Sequence, residues 1–168
     1  MVITGYARRI NASLSPWQVI APEVIASGDP AEIAAHCLTL VDPEFAERAR
    51  DGDVLVVDGD VSGGTGAEAA VLALQAAGIA ALICRGATAD LIVLGERYGL
   101  PVLSAPAAVP HLTEGAQLRL DLEYGRLSSN GITWSVTPLE AAALATVRRV
   151  QVLARMRRVV EEEGLAEG

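Results

Sequence analysis

Asp53-Val54-Leu55-Val56-Val57 is followed by Thr65-Gly66-Ala67-Glu68, then by Gly78-Ile79-Ala80-Ala81-Leu82-Ile83, and then by Gly99-Leu100-Pro101-Val102-Leu103. The apolar runs at 53–57, 79–83 and 101–103 are short and nearly continuous, the pattern of strands buried on both faces of a parallel sheet. A helix over 65–77, closing at Gly78, joins the first run to the second. Another over 88–98, closing at Gly99, joins the second to the third. Two consecutive βαβ units result, each a right-handed crossover by the chirality of twisted strands.

Working outward, helix starts are marked by acceptors ahead of proline or small residues. Asp29-Pro30-Ala31-Glu32 reads as a capping box with proline at the first helical position. Asp42-Pro43 precedes Glu44-Phe45-Ala46 in the same way, and Thr65-Gly66-Ala67-Glu68 and Thr137-Pro138-Leu139-Glu140 read as further starts. Downstream, 117–122 and 132–136 alternate with period two, punctuated by Tyr124-Gly125 and Asn130-Gly131. They read as an antiparallel strand pair with one wet face. A long C-terminal helix runs from Pro138 to about Glu163, carrying Arg148, Arg149, Arg155, Arg157 and Arg158 as a solvated basic face. The fold class is α/β: a parallel βαβαβ core, an antiparallel strand pair and a long C-terminal helix, in one domain over residues 1–168.

Composition narrows the function classes. The 168 residues hold 13 basic and 21 acidic side chains, a net charge of −8, which argues against a nucleic-acid binder. Every basic residue is arginine, so lysine Schiff-base and P-loop lysine chemistry are excluded. Apolar residues make up 51% and aromatics only 4%, which makes the core aliphatic. Cys37 and Cys84 lie far apart in apolar settings and read as buried side chains. His36 and His111 are too scattered for a metal site. No apolar run is long enough to span a bilayer and no leader pattern opens the chain, so a cytoplasmic protein is expected.

The block from Gly52 through Ser62-Gly63-Gly64-Thr65-Gly66-Ala67-Glu68-Ala69-Ala70 to Leu103 resembles the small subunit of 3-isopropylmalate dehydratase, the swivel domain of the aconitase superfamily. That family writes a strand, G-x-G-S-S-R-E, a helix, G-I, an apolar strand, a loop-helix segment and G-x-P. The spacing matches without a gap from Asp53 to Leu103. Segments 29–34, 42–46 and 137–140 extend the likeness more weakly. The resemblance implies an aconitase-type swivelling domain. It also implies a large partner subunit with a 4Fe–4S cluster, and movement of a hydroxyl between adjacent carbons of a di- or tricarboxylate.

The chemistry residues are where the match breaks. The family's loop serine, the base that takes a proton from carbon, is Thr65, and the carboxylate-binding arginine beyond it is Ala67, whereas Glu68 is kept. The family's acidic stretch aligns with 13–22, its aspartates replaced by Ser13, Leu14 and Gln18. The specificity loop P-G-R-Y reads Pro22-Glu23-Val24-Ile25, without arginine, and the two arginines of S-F-G-R-I-F-x-R-N are Ala89 and Val93. Losing one such arginine costs on the order of 10³-fold in rate. Four lost together mean that the substrate has lost carboxylates or that the site no longer catalyses.

Each candidate residue carries a functional and a plainer reading. Thr65 is a reacting hydroxyl, or only the cap of a helix with Glu68. Gly63, Gly64 and Gly66 form a turn whose backbone N–H groups hold an anion, because a helix starts there. Arg85, at the end of a strand, replaces a lost arginine or is solvated. Trp17, Gln18, Glu23, Val24 and Ile25 form a rewritten substrate loop, with Trp17, Val24, Ile25 and Leu91 walling an apolar pocket; core filling and exposure are their plainer readings. Asp58 and Asp60 flank Gly59 and read as a chain turn. Three functions follow. The favoured one is the small subunit of an aconitase-type hydro-lyase or isomerase acting on a substrate poorer in carboxylates, its cluster in a partner subunit. The others are a free-standing, metal-free homo-oligomeric domain converting or binding a largely apolar small molecule in specialised metabolism, and a non-catalytic structural subunit.

Overall fold

Strand β2 (Val54–Val61) carries the central run, and its side chains divide between two cores. Leu55 and Val57 join one buried cluster, Val54 and Val56 the other. This double burial is why the run shows no polar alternation. The computed structural model describes residues 1–167.

The remaining elements are β1 (Val2–Ile10), α1 (Pro16–Val19), α2 (Pro22–Ala26), α3 (Pro30–His36), α4 (Phe45–Arg48), α5 (Ala67–Ala76), β3 (Ala81–Ala87), α6 (Ala89–Tyr98), β4 (Val102–Ser104), β5 (Gln117–Asp121), β6 (Arg126–Ser129), β7 (Ile132–Ser135) and α7 (Ala141–Glu167). A 3₁₀ turn covers Val109–His111. The strands form one sheet in the order β4-β3-β2-β1-β5-β6-β7. From β4 to β1 all pairs are parallel, and from β1 to β7 all are antiparallel. The expected βαβαβ core is present as β2-α5-β3-α6-β4, and the long C-terminal helix follows the sheet.

Four expectations need correction. Strand β1, which joins the parallel and antiparallel halves, was not anticipated: its burial alternates and it carries Arg8 and Arg9. The antiparallel segment is a three-stranded meander, with β6 lying between the two segments expected to pair directly. Helix α5 is capped by Gly66 in the left-handed region (φ 87°), not by Thr65, and Glu68 instead accepts the Tyr98 hydroxyl at 2.7 Å. Helix α7 starts at Ala141 rather than Pro138. At Asp29 the cap holds, its carboxylate accepting Ala31 N–H at 3.0 Å.

Strand β1 is charged because its neighbours are. Asp53, 2% exposed, accepts Arg8 Nε at 2.7 Å and the Arg50 amide at 2.8 Å. Arg9 binds Asp58 at 2.6 Å, and its guanidinium also donates to the carbonyls of Val109 and Leu112. Buried charges are tolerated where partners satisfy them in this way.

Candidate functional site

The site lies beyond the C-terminal ends of β2 and β3, where open α/β sheets hold ligands. Four residues past its last pair with β1, at Val61, β2 takes Leu14 as a parallel neighbour: Leu14 N–H donates to the Asp60 carbonyl at 2.9 Å, and Ser62 N–H to the Leu14 carbonyl at 3.0 Å. A bulge between Val57 and Asp60 lets β2 curl towards this segment. Asp58 and Asp60, expected in a chain turn, are therefore strand residues. Gly59 is required there, since a Cβ would stand 2.7 Å from the Ser13 backbone nitrogen.

This curl opens a cleft of about 610 Å³ lined by Ser13–Ser15, Gln18, Asp60–Ser62 and Gly86–Thr88. Its polar groups are hydroxyls, the Gln18 amide and one carboxylate, Asp60; the lining contains no basic residue. Gln18 Oε1 accepts the Ser15 amide at 2.8 Å and the Ser15 hydroxyl at 3.1 Å, which ties the 13–18 segment into one hydrogen-bonded wall.

The glycine turn beside the cleft is already occupied by the chain itself. Gly63 N–H donates to Thr88 Oγ1 at 2.8 Å, and Gly64 N–H to Asp90 Oδ2 at 2.9 Å. The Thr88 hydroxyl, then the Gly64 amide, holds the Asp90 carboxyl below the usual carboxylate range. An internal carboxylate thus stands where backbone N–H groups would take an anion. A Cβ on Gly63 would run into this carboxylate, so a larger residue there would push Asp90 aside. A Cβ on Gly66 would stand 2.7 Å from the Trp17 ring, so that indole packs on the turn.

The expected residues separate into groups. Gln18 lines the cleft, Gly63, Gly64 and Gly66 form the adjoining turn, and Trp17 covers it. Thr65 is exposed and has no hydrogen bond among the described residues; it is not a cap. Glu23 is exposed on α2, while Val24 and Ile25 are half-buried against the core and do not line the cleft. Leu91 is a core residue and lines a separate, small apolar cavity of about 20 Å³ with Pro16, Val19, Val71 and Leu100; Trp17, Val24 and Ile25, expected to wall an apolar pocket with it, are not among that cavity's lining residues.

Arg85 alternates to the other face of β3 from Gly86. There it pairs with Asp58, which Arg9 also binds, and that pairing keeps it out of the cleft. The Arg85 hydrogen bond holds the Asp58 carboxyl below its usual range. The sequence reading took Asp60 for a chain turn and assigned no site role to Ser62, Thr88 or Asp90. The signal was the period-two continuation of β2 and β3 into polar residues beyond their apolar runs. Both cysteines are buried, and burial pushes each thiol up to about 12, with the Asp60 charge adding to the effect at Cys84. Among the described residues no three His, Cys, Asp or Glu side chains come together to hold a metal ion.

No protein-family model matches the chain. It is 32% identical over 124 residues to 3-isopropylmalate dehydratase small subunit 1 of Methanopyrus kandleri, covering 74% of this chain and 73% of that protein. It belongs to the 3-isopropylmalate dehydratase small-subunit family. The small subunit of Caldanaerobacter subterraneus is also 32% identical, over 121 residues, covering 72% of this chain and 75% of that one. That of Moorella thermoacetica is 27% identical over 140 residues, 82% of this chain and 84% of its own. The crystal structure of 3-isopropylmalate dehydratase from Methanocaldococcus jannaschii shares the fold, with a TM-score of 0.76 at 20% identity over 98% of this chain and 99% of that one. Within this small-subunit fold the cleft chemistry described above is uncharged apart from one carboxylate.

Proposed function

We propose that this chain is the small subunit of an aconitase-type hydro-lyase or isomerase whose substrate presents fewer carboxylates to the small subunit than a dicarboxylate such as isopropylmalate. The observation carrying this reading is the cleft itself: hydroxyls, one amide and the Asp60 carboxylate, with the neighbouring Gly63 and Gly64 amides filled by Thr88 and Asp90. A substrate carboxylate entering there would meet like charge without a guanidinium to offset it. Hydroxyl or carbonyl groups would instead meet Ser13, Ser15, Ser62 and Thr88, which both donate and accept.

In this reading a large subunit carries the 4Fe–4S cluster, which when bound supplies Lewis-acid activation of a hydroxyl. This chain contributes the polar wall that orients the substrate and the Thr65 hydroxyl, exposed on the turn, for proton transfer. A hydroxyl of ordinary acidity is a weak base, so Thr65 depends on the start of α5 to favour its alkoxide.

The test is native mass spectrometry of the protein purified anaerobically from its own cells, followed by turnover assays of the isolated species. A heteromer containing an iron–sulfur subunit, faster on a hydroxy monocarboxylate than on the matching dicarboxylate, supports the proposal. Faster turnover of the dicarboxylate overturns the substrate part. A species made only of the 17.5 kDa chain, without iron, favours the free-standing binding domain. That second reading draws on the Asp90 contact, which satisfies the turn without any ligand or partner.

A further inference from the structure

Across the bulge in β2, two aspartates of one strand come to lie on opposite faces of the sheet. Asp58 turns to the face of Arg85 and is held by that residue and by Arg9. Asp60 pairs in register with Gly86, and its Oδ1 stands 2.9 Å from where a Cβ on Gly86 would lie. Its carboxylate therefore rests over that glycine, against the lining of the cleft. Side chains alternate along β3, so Gly86 and Arg85 face opposite ways. Both guanidiniums at this end of the sheet are engaged by Asp58. The Asp60 carboxylate has no hydrogen bond or ion pair among the described residues, and the cleft that it lines contains no basic residue.

The hydroxyls around Asp60 reinforce this polarity, because most of their hydrogens are already given to the protein. Ser15 donates to Gln18 Oε1 at 3.1 Å, Ser62 to the Leu14 carbonyl at a longer 3.4 Å, and Thr88 to Asp90. What these three offer a ligand is lone pairs. Gln18 Oε1 is filled by the Ser15 amide and hydroxyl, which leaves the Nε2 hydrogens of that side chain free. Ser13 Oγ accepts the Asp60 amide at 3.1 Å and keeps its own hydrogen. The cleft thus sets a carboxylate and three hydroxyl acceptors against two donor groups. Its complement is a positive group rich in N–H, with a hydroxyl or carbonyl oxygen beside it. An ammonium has three donors and no acceptor, and its hydrogen bonds to a carboxylate are charge-assisted. The net charge of −8 attracts a cation and repels an anion at longer range.

We propose that Asp60 is the recognition carboxylate for a protonated primary amine, and that the cleft takes a hydroxylated amine, its ammonium on Asp60 and a hydroxyl or carbonyl oxygen on Gln18 Nε2. This names the substrate class for the function proposed above, and rests on the cleft being where substrate binds. Asp60 selects and orients the ligand: a neutral molecule of the same shape lacks the charge-assisted hydrogen bonds, and an anion meets like charge.

Three probes of one carbon skeleton separate charge from shape: aminopropanediol, glycerol and glycerate, which end in ammonium, hydroxyl and carboxylate. Backbone amide resonances of the full-length, isotope-labelled chain are followed by NMR as each is added up to about 50 mM. The amine is expected to shift Ser13, Ser62, Gly86 and Thr88 saturably, with an affinity about tenfold above that of glycerol, while glycerate shifts none of them. Asp60→Asn keeps the shape and removes the charge. It should bring the amine down to the affinity of glycerol with the far-UV spectrum unchanged. Asp58→Asn removes a carboxylate from the other face and should leave the preference for the amine intact. Raising the ionic strength to about 0.5 M should cut that preference several-fold without affecting glycerol. No saturable shift with the amine, equal affinity for amine and glycerol, tighter binding of glycerate, or a preference that survives Asp60→Asn would each overturn the inference. An iron-bearing heteromer whose small subunit shows no preference for the amine would leave the aconitase-type reading standing and remove this one. Amine binding by an iron-free species of this chain alone would do the reverse.

Discussion

Gly66 tests how the turn beside the cleft is held. Its φ of 87° lies where an L side chain costs about 1–2 kcal/mol, and an added Cβ would stand 2.7 Å from Trp17 Cε2 and Cζ2. The indole is 39% exposed and can swing aside, at an off-rotamer cost of about 1 kcal/mol. Gly66→Ala is therefore expected to destabilise by about 2–3 kcal/mol, lowering Tm by roughly 5–10 °C for a chain of this size. Gly64 supplies the control, because its φ of 88° is equivalent and nothing lies within 4 Å of its Cβ position. Gly64→Ala should show only the backbone part, about 1–2 kcal/mol. Thermal and urea unfolding of both variants would measure the difference, while tryptophan emission follows Trp17, one of only two indoles, into water. In a Trp17→Ala background the two glycine substitutions should cost the same. Equal losses in the native background with unmoved emission would refute the packing of Trp17 on the turn.

Further outcomes follow from the charged and buried groups. Asp53→Ala leaves Arg8 without its buried partner and should cost about 3–5 kcal/mol, read as a shift in the urea midpoint. Thr65→Ala should leave stability within about 0.5 kcal/mol of the parent in the same assay, because the hydroxyl caps nothing; a loss of 1 kcal/mol or more would restore the capping role. Asp58 has its folded-state pKa depressed, first by Arg85, so its contribution is complete above the unfolded value of about 4 and disappears as pH falls through the folded value. Asp58→Asn should flatten the acid limb of the stability curve below that pH and leave its slope between pH 6 and 8 unchanged. Both thiols, pushed up to about 12, should resist a thiol reagent at pH 8 in the native protein and react only on unfolding, followed by the release of chromophore.

The parallel core was legible because double burial writes itself into sequence as unbroken apolar runs at 53–57 and 79–83, and because Gly78 and Gly99 end the intervening helices. The small-subunit likeness rested on the same block, so the family was available as a resemblance, whereas pattern and spacing alone gave the parallel core. The lost arginines were also visible residue by residue. Strand β1 was hidden, since Arg8 and Arg9 break its apolar pattern. Only the sheet shows that Asp53 and Asp58, more than forty positions away, are registered to receive them.

The same distance separates the expected anion site from the observed one. Gly63 and Gly64 do form a turn of amides ahead of α5, as their composition implies, yet Thr88 and Asp90 arrive from the β3–α6 connection and bind both N–H groups. Arg85 was read at the right end of its strand but turns to Asp58 on the opposite face of the sheet. Sequence thus determined which segments are strands and helices in the core, because burial and capping act over a few residues. Tertiary structure decided which polar groups remain free for a ligand, because hydrogen bonds and ion pairs are satisfied between segments far apart in the chain.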